Sequence, residues 1–297
     1  FPEFDGVPVT EADNAQGSAR LTTDGFGGAY IVWDDLQNAD YNLYIQHYDF
    51  LGLPSFEEGG IFLSNADNNQ LSPLVRADQY GAYIVWEDRK DGSISIYAQH
   101  IAGFMGPTLD ENGVSMYYGI DGNAFFYNDE DPYKSKSKSL YLDNKSLVYW
   151  EDRRGGKVYI EGTPYITYYT YGTFVDNSGP IMSKQLASYD EDTKIGFDQK
   201  FPDIKSVNDD FLLSFIGLNY DDASNKIFYQ MLDDNLDALG STEKFDDDQD
   251  TSQGSNRSYA TIVDESGYSH FMYSKSGYPT YLNEIFMATL DPLGAIY

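Results

Sequence analysis

The chain has 297 residues, of which 48 are acidic and 19 basic, so its formal net charge at pH 7 is −29. A chain this acidic is not expected to bind nucleic acid, because phosphate recognition needs a surplus of lysine and arginine, and anionic lipid headgroups would repel it. It contains no cysteine, which excludes disulfides, zinc–cysteine sites and thiol catalysis, and no apolar run approaches the roughly 20 residues that insert across a membrane.

The first half of the chain contains a repeated pair of strand-like segments. Residues 28–35 read GAYIVWDD and are followed by LYIQH at 43–47, while residues 81–88 read GAYIVWED and are followed by IYAQH at 96–100. A third copy reads SLVYWEDR at 146–153, then VYIE at 158–161. Side chains alternate along a strand, so GAYIVWED has apolar residues on both faces. The pattern predicts a sheet packed between two similar sheets.

Two weaker copies follow in the second half. They read FLLSF at 211–215 with IFYQ at 227–230, and SHFMY at 269–273 with IFMA at 285–288. Shorter apolar segments before and after each pair, separated by turn residues, predict four strands per unit. The five units are anchored by one aromatic residue each: Tyr44, Tyr97, Tyr159, Phe228 and Phe286.

Five such units predict an all-β fold, a five-bladed β-propeller with four-stranded antiparallel blades. The segment at 7–10 matches the context of the segment at 61–64, and the chain ends where an outer strand is due, so we expect the N-terminal strand to close the ring. The alternatives are an open β-solenoid or two sandwiches. We predict one domain whose blades span approximately residues 11–64, 65–118, 119–184, 185–248, and 249–297 together with 1–10.

The recurring Trp-Glu-Asp-Arg element is expected to build the fold. A catalytic group usually occurs once, whereas this element occurs in several units, with glycines that suit the following hairpin. We expect the tryptophans to fill the space between blades and each aspartate to lie near the arginine at the turn. The residues concerned are Trp33, Trp86, Trp150, Asp88, Arg89, Asp152 and Arg153.

Residues 86–92, WEDRKDG, followed by IYAQ at 96–99, resemble a known propeller repeat. Its pattern is W-E-D-x-R-x-G … D-I-Y-A-Q, and it occurs in secreted and surface-exposed proteins of Bacteroidota and related bacteria. Many such proteins end in a sorting domain for type IX secretion. The resemblance implies an exported protein, located outside the cell or at its surface, and the acidic composition suits that setting.

One acidic run is a candidate calcium site. Asp246, Asp248 and Asp250 alternate as in the first half of a calcium loop, but Thr251 and Arg257 stand where an EF-hand needs glycine and glutamate. An EF-hand is therefore excluded, and a looser Ca²⁺ site competes with a merely solvated loop. No other cofactor is predicted. The equivalent His47 and His100 are expected on strand surfaces.

The third unit is enlarged and rich in tyrosine. Tyrosine has an apolar ring and a polar tip, which suits stacking on a sugar or a protein interface. The alternative is that these rings pack between blades or form an outer strand. The candidates are Tyr117, Tyr118, Tyr165, Tyr168, Tyr169 and Tyr171.

These observations favour a non-enzymatic binding or scaffolding module, exported or on the cell surface, whose partner is a protein or a glycan. No carboxylate pair stands out from the repeat, so no catalytic residue is assigned. Two alternatives stay open: a carbohydrate-active enzyme with a carboxylate pair at the mouth of a central channel, and a subunit of a surface assembly. The chain is also expected to belong to a larger multidomain protein or surface complex.

Overall fold

The computed structural model describes residues 8–37, 39–64, 66–89, 95–103, 105–116, 138–142, 145–152, 157–160, 163–166, 168–176, 178–181, 183–187, 197–219, 224–245, 255–276, 283–292 and 295–297. Within these ranges the chain forms 22 strands and no helix, and neighbouring strands pair antiparallel. The prediction of an all-β fold built from antiparallel sheets is therefore confirmed. None of these residues belongs to a helix of the length and apolar character that crossing a membrane requires.

Two sheets of four strands, in simple order along the chain, form the first part of the fold. The first sheet contains β1 (Gln16–Thr23), β2 (Ala29–Gln37), β3 (Asp40–Tyr48) and β4 (Ile61–Ser64). The second sheet contains β5 (Gln70–Ala77), β6 (Gly81–Asp88), β7 (Ser95–Ala102) and β8 (Val114–Ser115).

Three more sheets and a separate hairpin complete the described chain. The third sheet contains β9 (Lys138–Leu142), β10 (Lys145–Asp152), β13 (Tyr169–Asp176), β14 (Gly179–Pro180) and β15 (Lys184–Gln185). The hairpin consists of β11 (Lys157–Ile160) and β12 (Thr163–Ile166). The fourth sheet contains β16 (Phe197–Val207), β17 (Asp210–Asn219), β18 (Ser224–Leu232) and β19 (Ala238–Phe245), and the fifth contains β20 (Ser255–Val263), β21 (Ser269–Ser276) and β22 (Asn283–Leu290).

The chain divides into two compact units. The first comprises Phe1–Tyr149 and Thr173–Ser183, and the second comprises Trp150–Gly172 and Lys184–Tyr297. In the first unit, apolar residues of the first and second sheets form one core, which includes Val32, Ile45, Ile84 and Trp86. In the second unit, residues of the fourth and fifth sheets, Phe245 and Phe271 among them, form another.

The repeat strings become the second strand of each sheet, and in the second sheet both faces of that strand are covered. All six residues from Gly81 to Trp86 are buried. Each second strand also stacks an aromatic ring on its neighbour: the ring centroids are 5.8 Å apart for Trp33 and Tyr44 and 6.1 Å apart for Trp86 and Tyr97. The fourth and fifth sheets repeat this contact with Phe215–Phe228 and Tyr273–Phe286.

Glycine is required beneath two of the tryptophans. Gly60 and Gly113, which precede β4 and β8, have φ of +82° and +75°. A methyl group added at Gly113 would lie 2.3 Å from the Trp86 ring, and one added at Gly60 would lie 2.8 Å from the Trp33 ring. Both contacts are far inside van der Waals distance, so the indole occupies the space that any side chain would need.

The third sheet differs from the sequence prediction. We expected the strand after Trp150 to be the one that contains Tyr159, but that segment pairs with β12 in the separate hairpin. The partner of β10 is β13, and Tyr171 stacks on Trp150 at 6.4 Å. The expectation for Tyr159 was wrong because the inserted hairpin carries a strand-like sequence at the position where the other units continue their sheet.

The two ends of the chain bear on the predicted ring closure. The fifth sheet has three strands in the described residues, and Ile296 forms an isolated bridge with Leu290 after them. The predicted closing strand begins at Val7, which lies outside the described residues, and Pro8, Val9 and Thr10 carry no strand assignment. Closure therefore stays a prediction.

Candidate functional site

All three histidines of the chain have the same surroundings. Each imidazole lies between an aspartate at the turn after the sheet's first strand and a hydroxyl on the other side. The Nε2–carboxylate and Nδ1–hydroxyl distances are 3.0 and 2.7 Å in Asp24–His47–Ser55, 3.1 and 3.0 Å in Asp78–His100–Thr108, and 3.1 and 3.0 Å in Asp264–His270–Thr289. We call these three sets the histidine rows.

The second histidine row is buried, which corrects one expectation from the sequence. We placed His100 on a strand surface, yet it is almost fully enclosed, because its ring lies 4.5 Å from that of Tyr83 and its Nε2 meets Asp78. Burial by itself would raise the pKa of Asp78, but hydrogen bonds from His100 and from the amides of Tyr80 and Gly81 outweigh it and hold the pKa below its ordinary value.

The histidine rows contain the groups of a hydrolase triad, but their arrangement indicates a structural role. In a Ser-His-Asp triad the hydroxyl meets Nε2 and the carboxylate meets Nδ1, whereas the rows have the opposite connectivity. The aspartates also hold their own turns: Asp24 accepts the amides of Phe26 and Gly28, and Asp264 accepts those of Ser266 and Tyr268. Three copies of one arrangement are typical of fold-building chemistry.

The carboxylates that follow the tryptophans lie inside the fold. Asp34, Asp35, Asp88, Asp152 and Glu151 are all buried. In the second sheet Asp88 accepts the indole N–H of Trp86 at 3.1 Å, while the indole nitrogens of Trp33 and Trp150 have no hydrogen-bond partner in the described structure. Arg89 is half-buried and its Nε has no hydrogen-bond partner in the described structure, and Arg153 lies outside the described residues.

Two of these carboxylates bind backbone amides at bulges in the first strand of another sheet. In the first unit Asp34 accepts the amide of Ser72, and in the second unit Glu151 accepts the amide of Phe201. Ser72 and Phe201 both have left-handed φ values, +55° and +53°, and both lie where the strand pairing shifts register. The carboxylates therefore hold a strained bulge in place. Sequence reasoning missed this role.

Asp34 differs electrostatically from the histidine-row aspartates. Burial raises the pKa of Asp34, against the opposing hydrogen bonds from Ser18 and Ser72 and the charge of Arg20. One of its oxygens has no hydrogen-bond partner. The same is true of one oxygen of the adjacent Asp35. These groups are enclosed, so they support the sheet rather than face a substrate.

Three of the six tyrosine candidates can be placed with their side chains, and all three are half-buried in the second unit. Tyr171 stacks on Trp150, as described above. Tyr168 lies beneath the ammonium group of Lys200, 5.3 Å from the ring centroid. Tyr169 lines an open groove. Tyr165 belongs to β12 by its backbone, but its side chain lies outside the described structure, as do Tyr117 and Tyr118 entirely.

The groove beside Tyr169 has a volume of about 480 Å³. Its lining residues come from β13, the segment at 185–187 and the turn before β19. Leu186, Ala187 and Leu236 are buried apolar residues of this lining, and Tyr169, Gln185 and Asp237 are its residues with polar side chains. We call this feature the Tyr169 groove.

Both walls of the Tyr169 groove are held by hydrogen bonds. The carbonyl of Ala187 accepts side-chain amides of Gln185 and Gln199 at 2.8 and 3.1 Å. On the other wall Asp233 accepts the amide of Asp237 at 2.8 Å, and this bond holds the pKa of Asp233 below its ordinary value. Lys184 forms a 2.8 Å ion pair with Asp237. The groove is thus a preformed recess with an aromatic ring, an amide and a charged pair at its edge.

The predicted calcium residues cannot be located. Asp246, Asp248 and Asp250 lie outside the described residues. Over the part of the chain that the structure does describe, no group of three or more histidine, aspartate or glutamate side chains is arranged to hold a metal ion.

Comparison with known proteins gives matches in structure alone. No family model and no curated protein matches the chain. Among solved structures, the polysaccharide lyase Uly1 superposes with a TM-score of 0.51 at 7% identity, over 95% of this chain and 60% of that structure. This likeness shows a shared fold.

Glycoside hydrolases also occur among the structural matches. The α-L-arabinofuranosidase PaAbf62A from Podospora anserina gives a TM-score of 0.39 at 15% identity, over 98% of this chain and 94% of that one. The β-xylosidase/α-arabinofuranosidase CoXyl43 from a compost metagenome gives 0.43 at 13% identity, over 96% and 94%.

These matches correct the main functional expectation from the sequence. We expected a non-enzymatic binding or scaffolding module, yet the structure that the chain matches with a TM-score of 0.51 is a polysaccharide lyase. The repeat gave little information about function, because it fixes framework residues that proteins of different activities can share.

Proposed function

We propose that this protein is a carbohydrate-active enzyme that binds a polysaccharide in the Tyr169 groove. The observation that carries the proposal is the groove itself, where an aromatic ring, a side-chain amide and a carboxylate occur among apolar residues. A sugar ring presents an apolar face and a rim of hydroxyl groups, so it needs this combination of surfaces. Tyr169 would stack on the sugar, while Gln185 and Asp237 would bind its hydroxyl groups.

The proposed reaction is cleavage of a glycosidic bond. Hydrolysis uses two carboxylic groups on either side of that bond, one as acid and one as base or nucleophile. Asp237 is the carboxylate that lines the groove, where it forms an ion pair with Lys184, and we assign it the role of base or nucleophile.

The experiment is a polysaccharide panel tested with the full chain. The panel contains arabinan, arabinoxylan, xylan and uronic-acid polysaccharides, since the matched structures act on arabinose- and xylose-containing glycans or are lyases. New reducing ends report cleavage by either route, and ultraviolet absorbance of unsaturated products distinguishes elimination from hydrolysis. We expect Asp237→Asn to abolish cleavage and keep binding. A chain that neither cleaves nor binds any member of the panel contradicts the proposal.

A matched set of tyrosine variants locates the binding site. Tyr169→Ala is expected to weaken binding about fivefold, since loss of one ring contact removes on the order of 1 kcal/mol. Tyr169→Phe keeps the ring and should bind nearly as well. Tyr80, which is exposed in the first unit, provides the control Tyr80→Ala with unchanged affinity. Equal weakening by Tyr80→Ala would place the binding site elsewhere.

We also infer that the five sheets are the blades of a five-bladed propeller closed by the N-terminal strand. The bridge from Ile296 to Leu290 matches the bridges from Pro54 to Tyr48 and from Pro107 to Ile101, each of which precedes a fourth strand. A fourth strand is therefore due after Ile296, and residues 7–10 would supply it. Deletion of residues 1–10 should lower the melting temperature by several degrees. An unchanged melting temperature would refute the closing strand.

We further propose that the protein acts outside the cell. The strongly acidic composition and the resemblance of residues 86–99 to exported propeller repeats support this location. Detection of the protein in the culture medium or on the surface of intact source cells, by antibody and with a cytosolic marker as control, tests it. Confinement to the cytosolic fraction would contradict it.

A further inference from the structure

Phe201 has a backbone conformation and an exposure that are both unfavourable for phenylalanine. Its φ is +53°, in the left-handed region, where a bulky residue is a conformational outlier. Its side chain is 50% exposed, so burial does not repay this strain. Strained residues persist only where the surrounding structure fixes them, and they cluster at active sites and ligand-binding sites. Phe201 therefore qualifies as a residue that contacts a ligand.

The backbone of Phe201 is fixed on both sides. Its amide donates a hydrogen bond to the buried carboxylate of Glu151, and its carbonyl accepts one from the hydroxyl of Tyr259 at 2.7 Å. All three residues belong to the second compact unit. A bulge of this kind aims a side chain in one direction. A ring on a fixed backbone also loses little conformational entropy when it binds a ligand.

The second sheet shows that the bulge itself does not need an aromatic ring. Ser72 occupies the equivalent position of β5, since it too precedes a proline, has a left-handed φ of +55° and donates its amide to a buried carboxylate, that of Asp34. Phenylalanine at this position adds an exposed apolar ring to an arrangement that serine builds equally well. The backbone arrangement therefore does not account for the ring of Phe201.

The strand that presents Phe201 also supports the Tyr169 groove. Gln199 lies two positions earlier on β16 and is completely buried. Its side-chain oxygen accepts the amide of Thr170 at 2.7 Å, and its Nε2 donates to the carbonyl of Ala187 at 3.1 Å. Two residues of a strand span about 7 Å. A polysaccharide that occupies the groove and continues along β16 would therefore meet the ring of Phe201.

We propose that Phe201 is a second sugar-binding residue, which stacks on one sugar of a polysaccharide whose neighbouring part occupies the Tyr169 groove. The inference rests on the proposed function and adds to it that the ligand is a polymer held by two aromatic residues. The apolar face of a sugar ring packs on an aromatic ring without needing a polar partner there, which suits phenylalanine. A sugar is favoured as the occupant because β16 connects the ring to the groove.

The test measures affinity and stability of the same variants of the full chain. Binding to arabinan, arabinoxylan, xylan and uronic-acid polysaccharides is measured by affinity electrophoresis, and melting temperature by circular dichroism. Phe201→Asn removes the ring, and Asn adopts a left-handed φ more readily than phenylalanine does. We expect affinity to fall about fivefold, while the melting temperature stays unchanged or rises by roughly 2 °C. Phe201→Tyr keeps the ring and should bind like the parent.

Phe26 provides the matched control, because it is 80% exposed in the first unit and does not have a left-handed φ. Phe26→Asn should change neither the affinity nor the melting temperature. Full affinity of Phe201→Asn in a chain that binds polysaccharide would overturn this inference and leave the proposed function intact. A drop of several degrees in its melting temperature would assign the ring a structural role and would also overturn it. A parent chain that binds no polysaccharide of the panel would contradict both proposals.

Discussion

The three histidine rows have the same contacts but differ in burial, so they test how burial sets the free energy that these contacts contribute to folding. The side chains of Asp78, Asp24 and Asp264 are 1%, 12% and 42% exposed, while their contacts are nearly identical. Water can replace a lost carboxylate at an exposed site and cannot reach a buried one. Replacement by alanine should therefore cost most at Asp78, less at Asp24 and least at Asp264.

The contacts of Asp78 give the size of the largest effect. Its carboxylate accepts the amides of Tyr80 and Gly81 at 2.7 and 2.6 Å and the imidazole of His100 at 3.1 Å. Loss of one partner from a buried charged pair costs about 3–5 kcal/mol. A chain of this size loses about 2 °C of melting temperature per kcal/mol, so Asp78→Ala should lower it by roughly 6–10 °C.

The assay is thermal unfolding of the full chain followed by circular dichroism, with the three alanine variants measured side by side. Asn variants at the same positions are the controls. Asn keeps an oxygen that accepts the turn amides, so its melting temperature should fall less than that of the alanine variant. An equal drop in melting temperature at all three positions, or a larger drop at Asp264 than at Asp78, would refute the argument that burial sets how much these contacts stabilise the fold.

Three further predictions follow from the same structure. Because the pKa of Asp78 is lowered, its stabilisation is complete above the ordinary value of 3.8 and is lost as the pH falls through the folded-state pKa. Melting temperatures between about pH 5 and pH 2 should therefore fall more steeply for the parent than for Asp78→Asn. The pKa of Asp34 is raised, so its stabilisation is present at acid pH and lost as the pH rises. At neutral pH Asp34→Asn should melt no lower than the parent, whereas Asp34→Ala, which leaves the amide of Ser72 without its acceptor, should melt lower. Gly113→Ala should destabilise far more than Gly52→Ala in urea unfolding. Both positions have φ of +75°, but a methyl group at Gly113 meets an indole carbon at 2.3 Å and one at Gly52 meets nothing within 4 Å; about 1 kcal/mol of backbone strain is expected at Gly52. Similar losses for the two variants would contradict the packing argument.

The framework was readable from the sequence because strand signals are local. The strings at 28–35 and 81–88 became β2 and β6, and the aromatic residues that follow them became their stacked partners. The prediction for the third unit was wrong for the same reason. A strand-like segment near Tyr159 pairs within its own hairpin, and the choice of Tyr171 as the partner of Trp150 depends on strand pairing that local sequence does not encode.

The candidate site was only partly predictable. Tyr169 was among the tyrosines that the sequence singled out, yet the other lining residues of the groove come from positions 185–187 and 236–238. Such a recess exists only after distant segments have met. His100 shows the same limit: its burial depends on Asp78, 22 residues earlier in the chain, which sequence spacing alone does not identify as its partner.

The differing exposure of the histidine rows also indicates which part of the fold unfolds first. Backbone amides exchange with solvent, and proteases cut, through the regions that unfold at the lowest free energy. The turn at Asp264 is held by the most exposed of the three rows. Deuterium uptake should therefore begin around β20 and β21, and a protease should release the C-terminal end of the chain before it cuts the turn at Asp78.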